Sequence, residues 1–264
     1  MAAPRRRFGQ NFLQDAGVID DIIAAVDPQP GERIVEIGPG RGALTNPLLD
    51  EGVELTVIEI DRDLASNWAA RARQTANLRV IERDALHVSA EELSPDGLPI
   101  RLVGNLPYNI STPLLFKFCD WTATLVDLHL MLQKEVVDRM SASPGSRTYG
   151  RLTVMLAPHF AVEPLLTVPG SAFFPAPKVT SAVARLTPRH VPPFELTDVP
   201  EWEDVVAAGF SLRRKTLRNA LRKLLDEDEI AMAGVDPGAR AETLSPDRFA
   251  ALAAVLADKR QQAD

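Results

Sequence analysis

Arg33-Ile34-Val35-Glu36-Ile37-Gly38-Pro39-Gly40-Arg41-Gly42 is the stretch whose reading sets the fold. It begins as a short apolar run of strand length, breaks into glycines, and from Ala43 to Leu49 the apolar spacing turns helical. Strand, glycine turn and helix in that order form a nucleotide site. Glycine lets the backbone approach a ligand with no Cβ in the way, and open α/β sheets bind ligands in the crevice at the carboxyl ends of their strands. The spacing is G-x-G-x-G, whereas a dinucleotide turn is G-x-G-x-x-G and seats a pyrophosphate on the helix N-terminus. A ligand without a pyrophosphate, S-adenosylmethionine (SAM), suits this turn better. Gly38 and Gly40 are its candidate contacts.

Working outward, three further apolar runs end in chemistry-bearing residues. Leu55-Thr56-Val57-Ile58-Glu59-Ile60 brings Glu59 to a strand end about twenty residues past the first glycine, where a carboxylate reaches ribose hydroxyls. Leu78-Arg79-Val80-Ile81 leads to Asp84, placed to accept from an adenine amine. Ile100-Arg101-Leu102-Val103-Gly104 leads to Asn105-Leu106-Pro107-Tyr108. Either acid alone is also what a solvated strand terminus looks like, and Asn, Pro and an aromatic after a strand also make an ordinary turn. Successive strand ends on one edge of a parallel sheet nevertheless converge on one crevice.

Asn105 to Tyr108 suits chemistry on the exocyclic amine of a nucleobase. That nitrogen is a poor nucleophile because its lone pair is delocalised into the ring. Acceptors that hold its hydrogens pull it toward tetrahedral geometry. Asn105 offers one acceptor and the Leu106 carbonyl a second. Pro107 fixes the turn without a competing N–H, and Tyr108 gives a flat face for stacking.

These residues carry a close resemblance. Phe8-Gly9-Gln10-Asn11-Phe12-Leu13, Val35 to Gly40, Asn105 to Pro113, Leu132 to Val136, Tyr149-Gly150-Arg151-Leu152, Phe173 to Val179 and Arg213 to Asn219 match, in order, blocks of a known family. The chain resembles the bacterial small-subunit (16S) ribosomal RNA adenine dimethyltransferases, the KsgA family. The resemblance implies SAM-dependent dimethylation at N6 of two adjacent adenosines in the hairpin near the 3′ end of that RNA, coupled to late assembly of the subunit. It also implies that Asn11, Leu13, Gly38, Glu59, Asp84 and Asn105 contact SAM or line its pocket, that Asn105 and Tyr108 floor the base site, and that Phe173 closes on the base. An enzyme acting on a base takes it out of the stack, and paired aromatics replace the lost stacking. Without the resemblance, two phenylalanines beside prolines are more often a small satellite core.

Composition fits a chain with a sizeable core: 264 residues, 45% of them hydrophobic. Cys119 is the single cysteine, so no internal disulfide forms. His87, His129, His159 and His190 lack ligand spacing, and no metal is expected. The longest apolar run, Phe249 to Ala257, is too short to span a bilayer. A cytoplasmic monomer with no membrane association is expected.

The net charge, 29 basic against 36 acidic residues or −7, disfavours RNA binding only if the field is averaged. Screening limits charge effects to about 8–10 Å, and two segments are locally basic. One carries Arg5, Arg6 and Arg7. The other runs from 210 to 224 with Arg213, Arg214, Lys215, Arg218, Arg222 and Lys223 and no acid. On a helix, Phe210, Leu217, Leu221 and Leu224 make an apolar stripe beside an arc of Arg214, Lys215, Arg218 and Arg222, available for phosphates. The acids at 226–229 could neutralise part of that arc. The partner that the resemblance implies is small-subunit rRNA in an immature 30S particle.

Punctuation and period give the organisation. After an arm and helix to about residue 27, strands near 33–38, 54–60, 78–82, 100–104 and 127–132 alternate with helices, the rhythm of a parallel sheet. Ala161 to Val168 and Ser181 to Leu186 add an edge hairpin. The expectation is an α/β, Rossmann-like, SAM-dependent methyltransferase domain over 1–190 with a mostly parallel seven-stranded sheet. A small all-α RNA-binding domain follows over 191–264, with helices near 201–210, 212–225 and 246–258, the last opened by Ser245 and Pro246. Rival readings are an adenosine methyltransferase of large-subunit RNA, an RNA-binding assembly factor whose catalysis is dispensable, and a small-molecule or protein methyltransferase.

Overall fold

The apolar runs read from the sequence fold as strands. In the computed structural model, which describes residues 10–196, 199–212 and 214–263, a two-residue strand β1 (Phe12–Leu13) precedes helix α1 (Ala16–Val26). Then follow β2 (Arg33–Ile37), α2 (Thr45–Asp50), β3 (Glu54–Glu59), α3 (Arg62–Ala72), β4 (Leu78–Glu82), α4 (Ala90–Leu93), β5 (Ile100–Asn105), α5 (Ser111–Cys119) and β6 (Leu125–Gln133). Side-chain caps fix where two helices start: Asp15 accepts from Val18 N at the head of α1, and Asp61 from Asp63 N at the head of α3.

After β6 come α6 (Lys134–Met140), α7 (Arg151–Leu156), β7 (Phe160–Val168), β8 (Phe173–Phe174) and β9 (Ser181–Pro188). The sheet has seven strands in the order β4-β3-β2-β5-β6-β9-β7. β2 pairs in parallel with β3 and β5, β3 with β4, and β5 with β6, whereas β9 runs antiparallel to β6. The chain therefore leaves β2 toward β3 on one side and returns as β5 on the other. That reversal is a topological switch point, where a crevice opens beyond the strand ends. Gly38 and Asn105 stand there, because Ile37 is in register with Gly104. A Cβ at Gly104 would come within 2.8 Å of the Ile37 carbonyl oxygen, so only glycine lets the two strands approach this closely.

The core of this part gathers Ile34, Leu48, Leu55, Val57, Val103 and Met131 around the sheet. Each such side chain, removed from water, contributes about 1.5–3 kcal/mol. At the amino ends of β5 and β6, the Arg101 guanidinium donates to Asp127 (2.8 Å), Glu32 (2.9 Å) and the Val26 carbonyl (2.6 Å), tying the end of α1 to the sheet.

Helices α8 (Val199–Ser211), α9 (Leu217–Ala220), α10 (Glu227–Met232) and α11 (Pro246–Ala263) complete the chain, the last starting at the proline the sequence marked. Two compact units result: Met1–Val137 with Ala161–Pro188, and Asp138–Phe160 with Arg189–Asp264. Sequence reading places one boundary at 190. In the structure the excursion 138–160 packs with the later helices, because the Tyr149 hydroxyl donates to the Leu244 carbonyl at 2.7 Å, Gly145 N donates to the Glu242 carbonyl at 2.7 Å, and the Tyr149 ring meets Phe210 edge-on. Trp202, Phe210 and Phe249 form the aromatic centre of this second unit.

The helix expected over 212–225 is not continuous. α8 stops at Ser211, and among the described residues of 212–225 only Leu217–Ala220 is helical. Leu217 N and Arg218 N donate to the carbonyls of Ala239 and Pro237, so the backbone bonds a continuous helix would make internally go to another segment. Leu217 and Leu221 are buried as expected, and Arg214, Lys215, Arg218 and Arg222 are exposed. Arg218 faces Glu227 at 3.6 Å, so the acidic run offsets part of the basic arc. Arg5, Arg6, Arg7 and Arg213 lie outside the described residues.

Candidate active site

A pocket of about 320 Å³ opens at the switch point. The sequence-named Asn11, Leu13, Gly38, Gly40, Glu59, Asp84, Asn105, Leu106, Pro107 and Tyr108 all line it. Gly38, at φ +71°, begins the turn after β2, and its nearest prospective Cβ contact is the Asn105 carbonyl oxygen at 3.9 Å. A side chain there would occupy pocket space rather than meet a wall, so the glycine keeps that volume open for a ligand.

Glu59, at the end of β3, is buried, with Oε1 accepting from Asp61 N at 2.9 Å and Oε2 from Gly40 N at 3.3 Å. The two bonds aim the carboxylate and hold the glycine turn against β3. Burial pushes its pKa up, and these backbone donors oppose the shift. Asp84 follows β4 and spends Oδ1 on Leu86 N at 2.9 Å, starting a 3₁₀ turn. Gln10 Nε2 donates to Asp61 Oδ2 at 3.1 Å, and the Arg41 guanidinium lies 4.3 Å from the centre of the Phe12 ring. The segment before α1 is thus fastened to the pocket rim by a hydrogen bond and a cation–π contact.

Asn105 closes β5. Its Nδ2 donates to the Asn11 carbonyl at 3.1 Å, which orients the amide and leaves Oδ1 as its acceptor. Leu106 N donates to the Met131 carbonyl, continuing the β5–β6 ladder by one rung, and Leu106 itself is buried. Tyr108, half-buried, shares a 2.8 Å hydrogen bond with Ser181 Oγ.

The structure places the expected Phe173 beside Leu13. Phe173 does not line the pocket; it is 5% exposed and belongs to the core with Leu13, Val168 and Ala172. Side chains alternate along a strand, and β8 pairs with β1 so that Phe173 opposes Leu13 while Phe174 opposes Phe12. Phe174, opposite Phe12, is the exposed member of the pair at 54%.

Sequence reading also missed an acid. Glu36 lies in β2 within the run Ile34-Val35-Glu36-Ile37, is 2% exposed, and lines the pocket. Burial pushes its carboxyl up to about 8; the Glu59 charge adds to the shift and the Thr45 hydroxyl, donating to Oε2 at 2.6 Å, opposes it. Its signal was an acid inside an otherwise apolar strand, a placement that costs free energy unless a partner or a cationic ligand offsets it.

These donors fit SAM. An open glycine turn, carboxylates at Glu59 and Asp84 able to accept from hydroxyl or amine hydrogens, and the buried acid Glu36, whose charge a cationic ligand would offset, line one cavity. Among the described residues no three His, Cys, Asp or Glu side chains gather as a metal site, and no helix is long and apolar enough to cross a membrane.

Comparison with known proteins identifies the family. The family profile described as Ribosomal RNA adenine dimethylase matches residues 1–258. A protein named Ribosomal RNA small subunit methyltransferase A, from Xanthomonas campestris pv. campestris (strain B100), is 52% identical over 254 residues, covering 96% of this chain and 97% of that protein. Among solved structures, a dimethyladenosine transferase from Plasmodium falciparum superposes with a TM-score of 0.75 at 27% identity, covering 94% of this chain and 98% of that one. The 23S rRNA methyltransferase ErmE superposes with a TM-score of 0.69 at 29% identity, covering 94% and 100%.

Proposed function

Because the chain belongs to the ribosomal RNA adenine dimethylase family, we propose that it is a SAM-dependent methyltransferase that dimethylates N6 of two adjacent adenosines in the 3′-terminal hairpin of small-subunit rRNA. The observation that carries this reading is the hydrogen bond from Asn105 Nδ2 to the Asn11 carbonyl. It fixes which end of the Asn105 amide accepts, at the strand end beside the glycine turn.

When bound, SAM supplies a methyl group on a positively charged sulfur. The residues of this chain do the rest by orientation. Gly38 and Gly40 admit the donor, and Glu59 and Asp84 hold its ribose and adenine. Asn105 Oδ1 and the Leu106 carbonyl accept the N6 hydrogens, favouring the pyramidal nitrogen of the transition state over the planar ground state. Pro107 keeps the turn free of a competing N–H, and Tyr108 stacks on the extruded base. Asn105 to Tyr108 hold no strong base. The cationic methylated nitrogen is acidic enough to give its proton to water.

Arg214, Lys215, Arg218 and Arg222, exposed in the second unit, would contact RNA phosphates, together with Arg5, Arg6 and Arg7. The partner would be an immature 30S particle, bound by a cytoplasmic monomer. The test is transfer of tritiated methyl groups to small subunits from a strain lacking the modification and, in parallel, to protein-free large-subunit RNA, followed by mapping of the labelled nucleotides. Label at paired N6,N6-dimethyladenosines supports the reading. Label confined to protein-free large-subunit RNA, the substrate class of the 29% identical neighbour, overturns it.

A further inference from the structure

Ser181 is the first residue of β9 and is fully buried. A hydroxyl at 0% exposure needs a partner, since an unpaired buried polar group costs free energy. Its partner is the Tyr108 hydroxyl at 2.8 Å. The position of Ser181 is set from both sides: its Cα is in register with Gln133 of β6, and the preceding carbonyl, of Thr180, accepts from Lys134 N at 2.9 Å. Ser181 is thus an anchor on the sheet, whereas Tyr108 stands on the turn between β5 and α5. At the other end of that turn Ser111 Oγ donates to the Tyr108 carbonyl at 3.1 Å. With backbone and phenol tip both held, the long axis of the ring has one direction.

We propose that Ser181 is a positioning residue for methyl transfer, fixing the direction of the Tyr108 ring against which the target base lies. It rests on the reading of Tyr108 as the stacking face. Two consequences follow. The ring angle sets how the N6 lone pair meets the methyl donor, so losing the anchor slows transfer more than it weakens SAM binding. The second transfer is the more sensitive, because a nitrogen that already carries a methyl has fewer orientations in which its lone pair faces the donor. An unanchored ring therefore shifts product from dimethyl toward monomethyl adenosine.

The experiment is a double-mutant cycle with Ser181→Ala, Tyr108→Phe and the double variant, read by single-turnover rate, product ratio and SAM affinity. Each single variant is expected to lower the rate by roughly 3–10-fold, the range of one buried hydrogen bond, to raise the monomethyl fraction, and to leave SAM affinity within about twofold of the parent. The double variant should be no slower than the slower single, since both changes remove the same bond. A Ser181→Thr variant, which keeps the hydroxyl, should restore the dimethyl product; failure to do so counts against the proposal. Fully multiplicative effects, or parental rate and product ratio in both single variants, would overturn it. Tyr108→Ala separates the underlying reading: if it loses transfer while both single variants behave as parent, stacking survives and the Ser181 assignment fails. Full transfer by Tyr108→Ala sinks both.

Discussion

The Thr45 hydroxyl donates to Glu36 Oε2 at 2.6 Å, and this is the only hydrogen bond made by the Glu36 side chain among the described residues. One donor does not replace water around a buried carboxylate, so the proton is retained up to a pH of about 8. In the unfolded chain the same group ionises near 4.5. The folded state therefore binds the extra proton between those values. Its contribution to stability is complete below the lower pKa and is lost as pH rises through the upper one. Glu59, raised in the same direction by burial, adds to that slope. Thermal unfolding of the ligand-free protein should show stability falling from about pH 5 to pH 8. Glu36→Gln, which keeps an acceptor for Thr45, should flatten part of the fall. Superimposable pH profiles for parent and variant would remove Glu36 from this account.

A cationic donor reverses the balance at the same carboxyl, because a nearby positive charge favours the ionised form. SAM binding near pH 7 should release protons, measurable by titration calorimetry in buffers of different ionisation enthalpy. The release should diminish in Glu36→Gln, with weaker affinity. Buffer-independent heats in the parent would contradict the expectation.

Asn105→Ala should lower single-turnover transfer by about 100-fold or more, the scale of losing an interaction made chiefly in the transition state. SAM binding should remain measurable, because glycine turn, Glu59 and Asp84 are untouched. A variant that transfers at the parental rate would take Asn105 out of the mechanism.

The two adjacent phenylalanines should separate cleanly. Phe173→Ala empties a core position and should destabilise by about 3–5 kcal/mol. Phe174→Ala, at an exposed position, should shift stability by no more than about 0.5 kcal/mol yet raise KM for RNA if its ring meets a base, where stacking contributes about 1–3 kcal/mol. Denaturant melts beside steady-state kinetics decide it; the opposite pattern would restore Phe173 to the base site.

Reversing Arg214, Arg218 and Arg222 to Glu should weaken RNA binding and lower the salt dependence by roughly 2–3 in log–log slope, one phosphate contact per residue. An unchanged slope would assign these side chains to solvent.

Sequence reading reached the sheet and most of the pocket for a physical reason. Strands buried on both faces are continuous apolar runs, and the residues beyond them, Gly38, Glu59, Asp84 and Asn105, inherit their position from the strand ends. It failed where position depends on distant pairing. The amphipathic spacing of 212–225 is real, but the carbonyls of Pro237 and Ala239 that take its backbone donors are not visible in a local period. Phe173 and Phe174 are chemically alike, and only the register of β8 against β1 decides which turns inward. Ser181 gave no local sign, since its partner is 73 residues away.

The excursion of residues 138–160 into the second unit bears on how the protein is made. By the time a nascent chain has been extended past β9, every strand of the sheet is available. Tyr149 still waits for Leu244, 95 residues later in the sequence. Synthesis thus delivers every strand of the sheet before the second unit can close. A chain trimmed after residue 190 would expose the ring of Tyr149 and the helix beside it, inviting aggregation rather than yielding a smaller working enzyme.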